Sequence, residues 1–439
     1  MPSTVRRPAI ALVLTACTLM ATAVLAAPIG TAQSAGTQAP ACDNRLSPPP
    51  PVDTSEQVPD GTKPPSPLPV PEVPVGGDRL AECGLVLPAN ARPLPDDLTA
   101  ASWVLADMDS GAVLASFDPH GRQRPASVMK VLLAVVVAKE LPLNTTVVAT
   151  QEDLDQECYC VGLRNGGEYT VEQLMQALLM ASGNDVAHAL ARRLGGVPSA
   201  VRKMNALAAE LGALDTRAIT PSGLDAPGTS TSAYDVAVIF RAAMKYPDFA
   251  KAIQTPQIDF PAPGGRGTVP VVNDNELLSA YNGMLGGRTG FTDDALHTYV
   301  GAAERNGKRL VVALLRGQQQ PVPITDQATA LLDYGFALQG TDNVGKLVDG
   351  APQAKKKTTE LKPTETSSPD VPNGTASTRA QGEKTAMEAA FGTVGLPITA
   401  VAGLGLLLGL LMYIRSKRAR AARARRDAEQ QEKLAKLGL

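Results

Sequence analysis

Between Pro125 and Lys139 the chain reads Pro-Ala-Ser-Val-Met-Lys-Val-Leu-Leu-Ala-Val-Val-Val-Ala-Lys, and from Val128 to Ala138 its only charge is Lys130. A helix without a polar face must be covered on every side, by protein or by lipid, and this one is too short to cross a bilayer. If it is helical from Ser127, then Ser127 and Lys130 stand three residues apart on one face, close enough to touch. A lysine drawn into a core loses hydration that its cation needs, so burial should lower its pKa. A neutral amine beside a hydroxyl is a base beside a weak nucleophile, one way to activate a serine. Alone, Ser-x-x-Lys is a common pattern that also serves as an N-cap followed by a snorkelling lysine. The apolar setting and two later segments weigh for chemistry.

The 439 residues allow one large or two ordinary domains. A net charge of −2 conceals an asymmetry: nine basic against three acidic residues put +6 into 415–439 and leave −8 for the rest. Aromatics make up only 4% with a single Trp, too few for stacking bases, so nucleic acid is not an expected partner. Arg6 and Arg7 precede an apolar run from Ala9 to Leu25, with small residues for cleavage around Ala26 and Ala27, so 1–27 reads as a secretory signal peptide. Its removal leaves Cys42, Cys83, Cys158 and Cys160, an even number in an oxidising compartment. Three pairings are possible, among them Cys42–Cys83 closing a long loop and leaving Cys158–Cys160 as a tight pair.

Residues 28–79 are dense in Pro, Ser, Thr and Gly and read as an extended, semi-rigid linker. A globular domain is expected over 80–345. Ser102 to Ala106 and Ala112 to Phe117 flank Asp107-Met108-Asp109-Ser110-Gly111 as a hairpin. Thr170 and Gln173 resemble a capping box, and that helix breaks at Ser182-Gly183-Asn184-Asp185. Helical periodicity continues to about 250, with stops at Gly195-Gly196 and Gly212. Strand signals return at Leu285 to Phe291, and Asn306-Gly307 joins Thr298–Ala303 to Arg309–Leu315 in a second hairpin. A helix from about Thr325 to Leu338 closes an α+β domain, an antiparallel sheet with an inserted helical block.

Residues 346–388 form a second low-complexity linker. Residues 389–414 carry no charge and read as a transmembrane helix, and the basic residues from Arg415 mark 415–439 as a cytoplasmic tail. The expected location is therefore the cell membrane, with a single pass and the folded domain outside.

Acyl transfer at a serine needs a nucleophile, a base, a proton route and donors for the oxyanion. Ser127 and Lys130 can supply the first two. Ser182-Gly183-Asn184 sits at a helix break, where Ser182 could relay a proton and Asn184 could hold an amide. Arg288-Thr289-Gly290 offers a fixed cation, a hydroxyl and a residue without a side chain, a set suited to a carboxylate and a close ligand backbone. In this order and spacing the three segments resemble the penicillin-recognising serine acyl-transferases. The resemblance is closest to the D-alanyl-D-alanine carboxypeptidases, the low-molecular-mass penicillin-binding proteins, and spans about 85–340. Ala126-Ser127-Val128-Met129-Lys130, Ala181-Ser182-Gly183-Asn184-Asp185 and Gly286-Gly287-Arg288-Thr289-Gly290-Phe291-Thr292 carry it, with support from Pro221-Ser222-Gly223-Leu224-Asp225.

The resemblance implies a β-lactamase/transpeptidase-like fold of a bacterial cell-wall enzyme. Ser127 would attack the penultimate D-alanine of a peptidoglycan stem peptide ending in D-Ala-D-Ala, and water would hydrolyse the acyl-enzyme. Lys130 would act as base, Ser182 as proton relay, and Asn184 would bind peptide backbone. Arg288 and Thr289 would hold the terminal carboxylate beside Gly290. The backbone N–H groups of Ser127 and Phe291 would form the oxyanion hole, and β-lactam antibiotics would acylate Ser127. One departure is Arg288 where this family more often has Lys; a guanidinium binds carboxylate equally but surrenders a proton far less readily. Related readings are a β-lactamase or an endopeptidase of the same fold. No Glu-x-x-x-Asn segment follows Ser182 at the place a lactamase would use it. A non-catalytic wall-binding scaffold is a further alternative, but it would need none of Ser127, Lys130, Ser182 and Asn184. His120, His188 and His297 show no metal-ligand spacing, so neither metal nor cofactor is expected.

Overall fold

The computed structural model describes residue 42 and residues 44–58, 61–157, 159–338 and 342–351. The expected signal peptide, the C-terminal linker beyond 351, the 389–414 span and the basic tail lie outside the described residues. Among the described residues no helix is long and apolar enough to cross a membrane.

In chain order the strands are β1 (Leu85–Val86), β2 (Ser102–Asp107) and β3 (Ala112–Phe117), followed by a 3-10 turn at Ala126–Met129 and helix α1 (Lys130–Glu140). The inserted block comprises β4 (Thr146–Val148), α2 (Gln151–Leu154), β5 (Glu168–Thr170), α3 (Val171–Ala181), α4 (Asn184–Arg193), α5 (Val197–Leu211), α6 (Ala233–Ala243) and α7 (Pro247–Gln254). Then come β6 (Gln257–Pro261), β7 (Thr268–Val272), α8 (Leu277–Ala280), β8 (Met284–Thr292), β9 (Leu296–Arg305), β10 (Lys308–Gly317), α9 (Ile324–Ala337) and β11 (Gly345–Lys346). The main sheet runs β1-β3-β2-β10-β9-β8, with β11 also on β3, and every pairing is antiparallel. This is the α+β architecture expected from the sequence. The two-stranded sheets β4–β5 and β6–β7 are not among its expectations.

Successive side chains on the central strands leave by opposite faces, and here both faces are buried. Val104, Ala106, Val311 and Ala313 join one apolar cluster with α1, α3 and α6, whereas Trp103, Leu105, Leu310 and Val312 join another with Leu331 and Leu332 of α9. The sheet is thus the middle of three layers. Helix α1 is buried continuously from Lys130 to Val137, which explains its lack of a polar face. Regular α-helix starts at Lys130, so Ser127 rides on the tighter turn before it. Thr170 caps α3: its hydroxyl accepts from Gln173 N at 3.2 Å while Gln173 Oε1 accepts from Thr170 N at 2.9 Å.

The described part of the proline-rich segment has almost no regular structure, yet it is bound along the domain. Proline lacks an N–H, so such a segment offers mainly carbonyl oxygens as bonding groups. Arginines take them. The buried Arg122 guanidinium donates to Leu46 O, Leu68 O and Pro69 O at 2.8, 2.6 and 3.0 Å, and its Nε donates to Asp215. Arg124 donates to Pro49 O at 2.8 Å and pairs with Glu56, and Arg217 donates to Ser66 O. Asp294 accepts from Val52 N and from the Ser55 hydroxyl. The Cys42–Cys83 disulfide closes this strap, with Cα atoms 5.1 Å apart. Cys160 is also disulfide-bonded, and Cys158 lies outside the described residues.

Candidate active site

A cleft of about 510 Å³ opens between the Ser127 turn, the α3–α4 break and strand β8. Ser127, Ser182, Asn184, Arg288, Thr289, Gly290 and Phe291 all line it. Every residue of the three sequence segments that was expected at a site therefore reaches one cavity, with Lys130 directly beneath.

Lys130 is fully buried, and its Nζ lies 2.8 Å from Ser127 Oγ, 2.8 Å from Asn184 Oδ1 and 3.0 Å from Ser222 O. Burial, aided by the nearby Arg288 guanidinium, holds the amine well below its ordinary pKa; Asp274 and Asp185 oppose the shift. A neutral amine has two N–H bonds and one lone pair. The carbonyls of Asn184 and Ser222 can only accept, so they take both hydrogens and leave the lone pair for the Ser127 hydroxyl. Asn184 Nδ2 donates to Glu157 O at 2.7 Å, which fixes the amide with its oxygen toward Lys130.

The Ser127 turn is clamped by two close backbones. Gly223 takes φ +86°, and a Cβ there would sit 1.9 Å from Ala126 O. On the opposite side, a Cβ at Gly290 would lie 2.7 Å from Ser127 N and 2.5 Å from Thr298 Oγ1. The Thr298 hydroxyl donates to Pro125 O at 2.9 Å, tying the turn to β9. Ala126 itself has φ 48°, the left-handed region that a residue with a Cβ enters only under constraint. Ser182 does the same at the end of α3, with φ 60°. That turn leaves its buried Oγ in the cleft wall with no hydrogen-bond partner among the described residues.

Arg288 is only 1% exposed. Its two terminal nitrogens donate to the two oxygens of Asp274, each at 2.8 Å, and Nη1 also donates to Leu179 O at 3.0 Å. Among the described residues the buried Nε–H and one Nη2 hydrogen have no partner, and with the half-buried Thr289 hydroxyl they are the donors left on this wall. The sequence reading missed Asp274, which lies 14 residues before Arg288 with no pattern linking them. It also missed Asp185 as a brace. That carboxylate accepts from Val161, Gly162 and Leu163 N at 2.9–3.1 Å and shapes the loop carrying Glu157 and Tyr159 into the cleft.

The family model described as D-alanyl-D-alanine carboxypeptidase matches residues 89–319. The chain is 50% identical over 266 residues to D-alanyl-D-alanine carboxypeptidase DacB2 of Mycobacterium tuberculosis, covering 60% of this chain and 90% of the relative. A crystal structure of a D-alanyl-D-alanine carboxypeptidase from Mycobacterium tuberculosis is similar with TM-score 0.58 and 48% identity, covering 60% of this chain and all of that one. A Streptomyces DD-transpeptidase structure is similar at 28% identity and TM-score 0.53, covering 56% of this chain and all of that one. With its three segments gathered around one cleft and over half its length inside the family match, the chain belongs to the D-alanyl-D-alanine carboxypeptidases.

Proposed function

We propose that Ser127 is the acylated nucleophile of this D-alanyl-D-alanine carboxypeptidase and that Lys130 is its base. The observation that carries this is the placement of the buried amine: the carbonyl oxygens of Asn184 and Ser222 lie within 3.0 Å to take the two hydrogens of its neutral form, and Ser127 Oγ lies 2.8 Å away where the lone pair is then left. Ser127 Oγ attacks the carbonyl carbon of the penultimate D-alanine while its proton passes to Lys130 Nζ. The N–H groups of Ser127 and Phe291 receive the oxyanion. As the C–N bond breaks, the proton moves to the departing D-alanine through the Ser182 hydroxyl, which has no partner among the described residues and is available. Water, deprotonated by the same amine, then cleaves the ester. The substrate carboxylate meets the unengaged hydrogens of the Arg288 guanidinium and the Thr289 hydroxyl. Asn184 acts as a positioning residue for Lys130, since both ends of its amide are engaged within the protein. β-Lactams open by the same attack, but their amine stays tethered and cannot leave.

We further read 80–345 as the catalytic unit, delivered by the signal at 1–27 and anchored by 389–414, because an uncharged run followed directly by basic residues favours a cytoplasmic tail. Deleting 389–439 should move the enzyme from the membrane to the soluble fraction. For the chemistry, benzylpenicillin should add its mass to a peptide containing Ser127, and D-alanine should be released from a synthetic pentapeptide. Both are expected to vanish in Ser127→Ala; an adduct on another residue would overturn the assignment.

A further inference from the structure

Three side chains from three separate segments meet in the interior at a point that acyl transfer does not use. His120 follows β3, Asp215 lies in the loop after α5, and Asp235 is in the first turn of α6. They are 3%, 3% and 0% exposed. A ring nitrogen of His120 and one carboxylate oxygen of each aspartate all lie within 4.8 Å of one another. Separations of 95 and 20 residues hide the group from any reading of ligand spacing, which is why the sequence leads to no expectation of a metal.

Each group is held from behind by one of its atoms. Val75 O can only accept, so His120 Nε2 carries a hydrogen and donates it there at 3.0 Å. Asp215 Oδ1 accepts from Arg122 Nε at 3.0 Å, and Asp235 Oδ2 accepts from Asp215 N and the Thr216 hydroxyl, both at 2.7 Å. The Tyr234 ring packs against the imidazole with centroids 4.5 Å apart. This leaves His120 Nδ1, Asp215 Oδ2 and Asp235 Oδ1. The first two are 2.7 Å apart, while the buried Asp235 Oδ1 has no hydrogen-bond partner among the described residues. Asp215 pairs with His120 and Arg122, but among the described residues Asp235 makes no ion pair. A carboxylate wholly removed from water is costly unless donors or a cation satisfy it. Metal-binding imidazoles commonly donate their other N–H to a carbonyl, and ligating carboxylates are themselves hydrogen-bonded. Both marks are present here. The terminal nitrogens of Arg122, the nearby cation, are turned to the strap carbonyls of Leu46, Leu68 and Pro69.

We propose that His120, Asp215 and Asp235 form a structural zinc site that staples the proline-rich strap to α6 and to the segment entering the Ser127 turn. One imidazole and two carboxylates suit this ion, and a water can complete the tetrahedron. Ligands of a tetrahedral zinc stand about 3.3 Å apart, so the ion replaces the hydrogen between His120 Nδ1 and Asp215 Oδ2 and parts them by about 0.6 Å. The test uses untagged full-length protein in detergent, stripped of metal with a chelator and then melted over a series of zinc chloride concentrations. Zinc retained after removal of the excess is counted by elemental mass spectrometry. The wild type should keep one zinc per chain, and its melting temperature should climb with zinc concentration by mass action. Melting opens every chain, so this readout does not depend on how fast the ion enters a buried site. Asp235→Asn, nearly equal in size, should lose both the bound zinc and the shift. Thr216→Val removes only a donor behind Asp235 and should weaken zinc binding about 10- to 100-fold. No zinc-dependent rise in the wild type, or an equal rise in Asp235→Asn, would overturn the site. If Asp235→Asn does not fold, an affinity in Thr216→Val equal to that of the wild type would overturn it instead.

Discussion

Arg288 and Asp274 form a two-pronged pair in the wall of the cleft, each guanidinium nitrogen 2.8 Å from its own carboxylate oxygen. A point charge would satisfy neither the planarity nor the second bond. The pair explains why arginine rather than lysine suits this position. It sets a counter-charge against a buried cation whose field still reaches the Lys130 amine.

Breaking the pair should therefore cost stability from either side. Asp274→Asn leaves a guanidinium that is 1% exposed without its counter-charge, for an expected loss of about 3–5 kcal/mol. Arg288→Lys keeps the charge but forfeits one of the paired bonds, for about 1–3 kcal/mol. Urea denaturation reads both, and an unchanged midpoint for Asp274→Asn would show that the pair contributes nothing.

The acid side of β-lactam acylation should report the protonation of Lys130. The amine is neutral above its folded pKa and loses its lone pair as the pH falls through that value. Arg288 depresses it, so Arg288→Gln should raise it and move the acid limb to higher pH. Asn184→Asp, which sets a carboxylate where an amide oxygen lies 2.8 Å away, should move the limb the same way. The position of the limb, rather than the plateau rate, is the readout; a limb fixed in both variants would exclude Lys130 as its source.

Asp225 gives a separate pH signature. Burial, together with the negative Asp294 and Glu56, pushes its carboxyl up from 3.8 to about 6, against the pull of Thr292 and Arg124. A carboxyl with a raised folded pKa favours the folded state below about pH 4 and loses that advantage as the pH rises through 6. Asp225→Asn removes the loss. The melting temperature of the variant relative to wild type should thus increase from pH 4 to pH 7.5, by the equivalent of about 1 kcal/mol once partial exposure is allowed for. Parallel melting curves across that range would contradict it.

What could be read from the sequence was what depends on short spacing. Ser127 and Lys130 are three residues apart, Asn306-Gly307 dictates a two-residue hairpin, and Thr170 and Gln173 announce a helix start. Each became the expected local structure. The α+β arrangement followed from the order of such signals. Hidden from the sequence were pairings between distant polar residues, because nothing in local periodicity marks which carboxylate will meet which cation. Asp274 with Arg288, Asp185 with the 161–163 backbone, and Arg122 with Leu46, Leu68 and Pro69 are of this kind. The strap is the largest instance: a proline-rich composition predicts extension correctly but is silent on what will hold the carbonyls.

The turn bearing Ser127 is gripped between Gly223 and Gly290, with space for no added atom on either side. An ester formed there would be planted in masonry. With no slack in the backbone beneath it, a hydrolytic water must come in past the acyl group as it lies, so the lifetime of the adduct should follow the shape of what the serine carries.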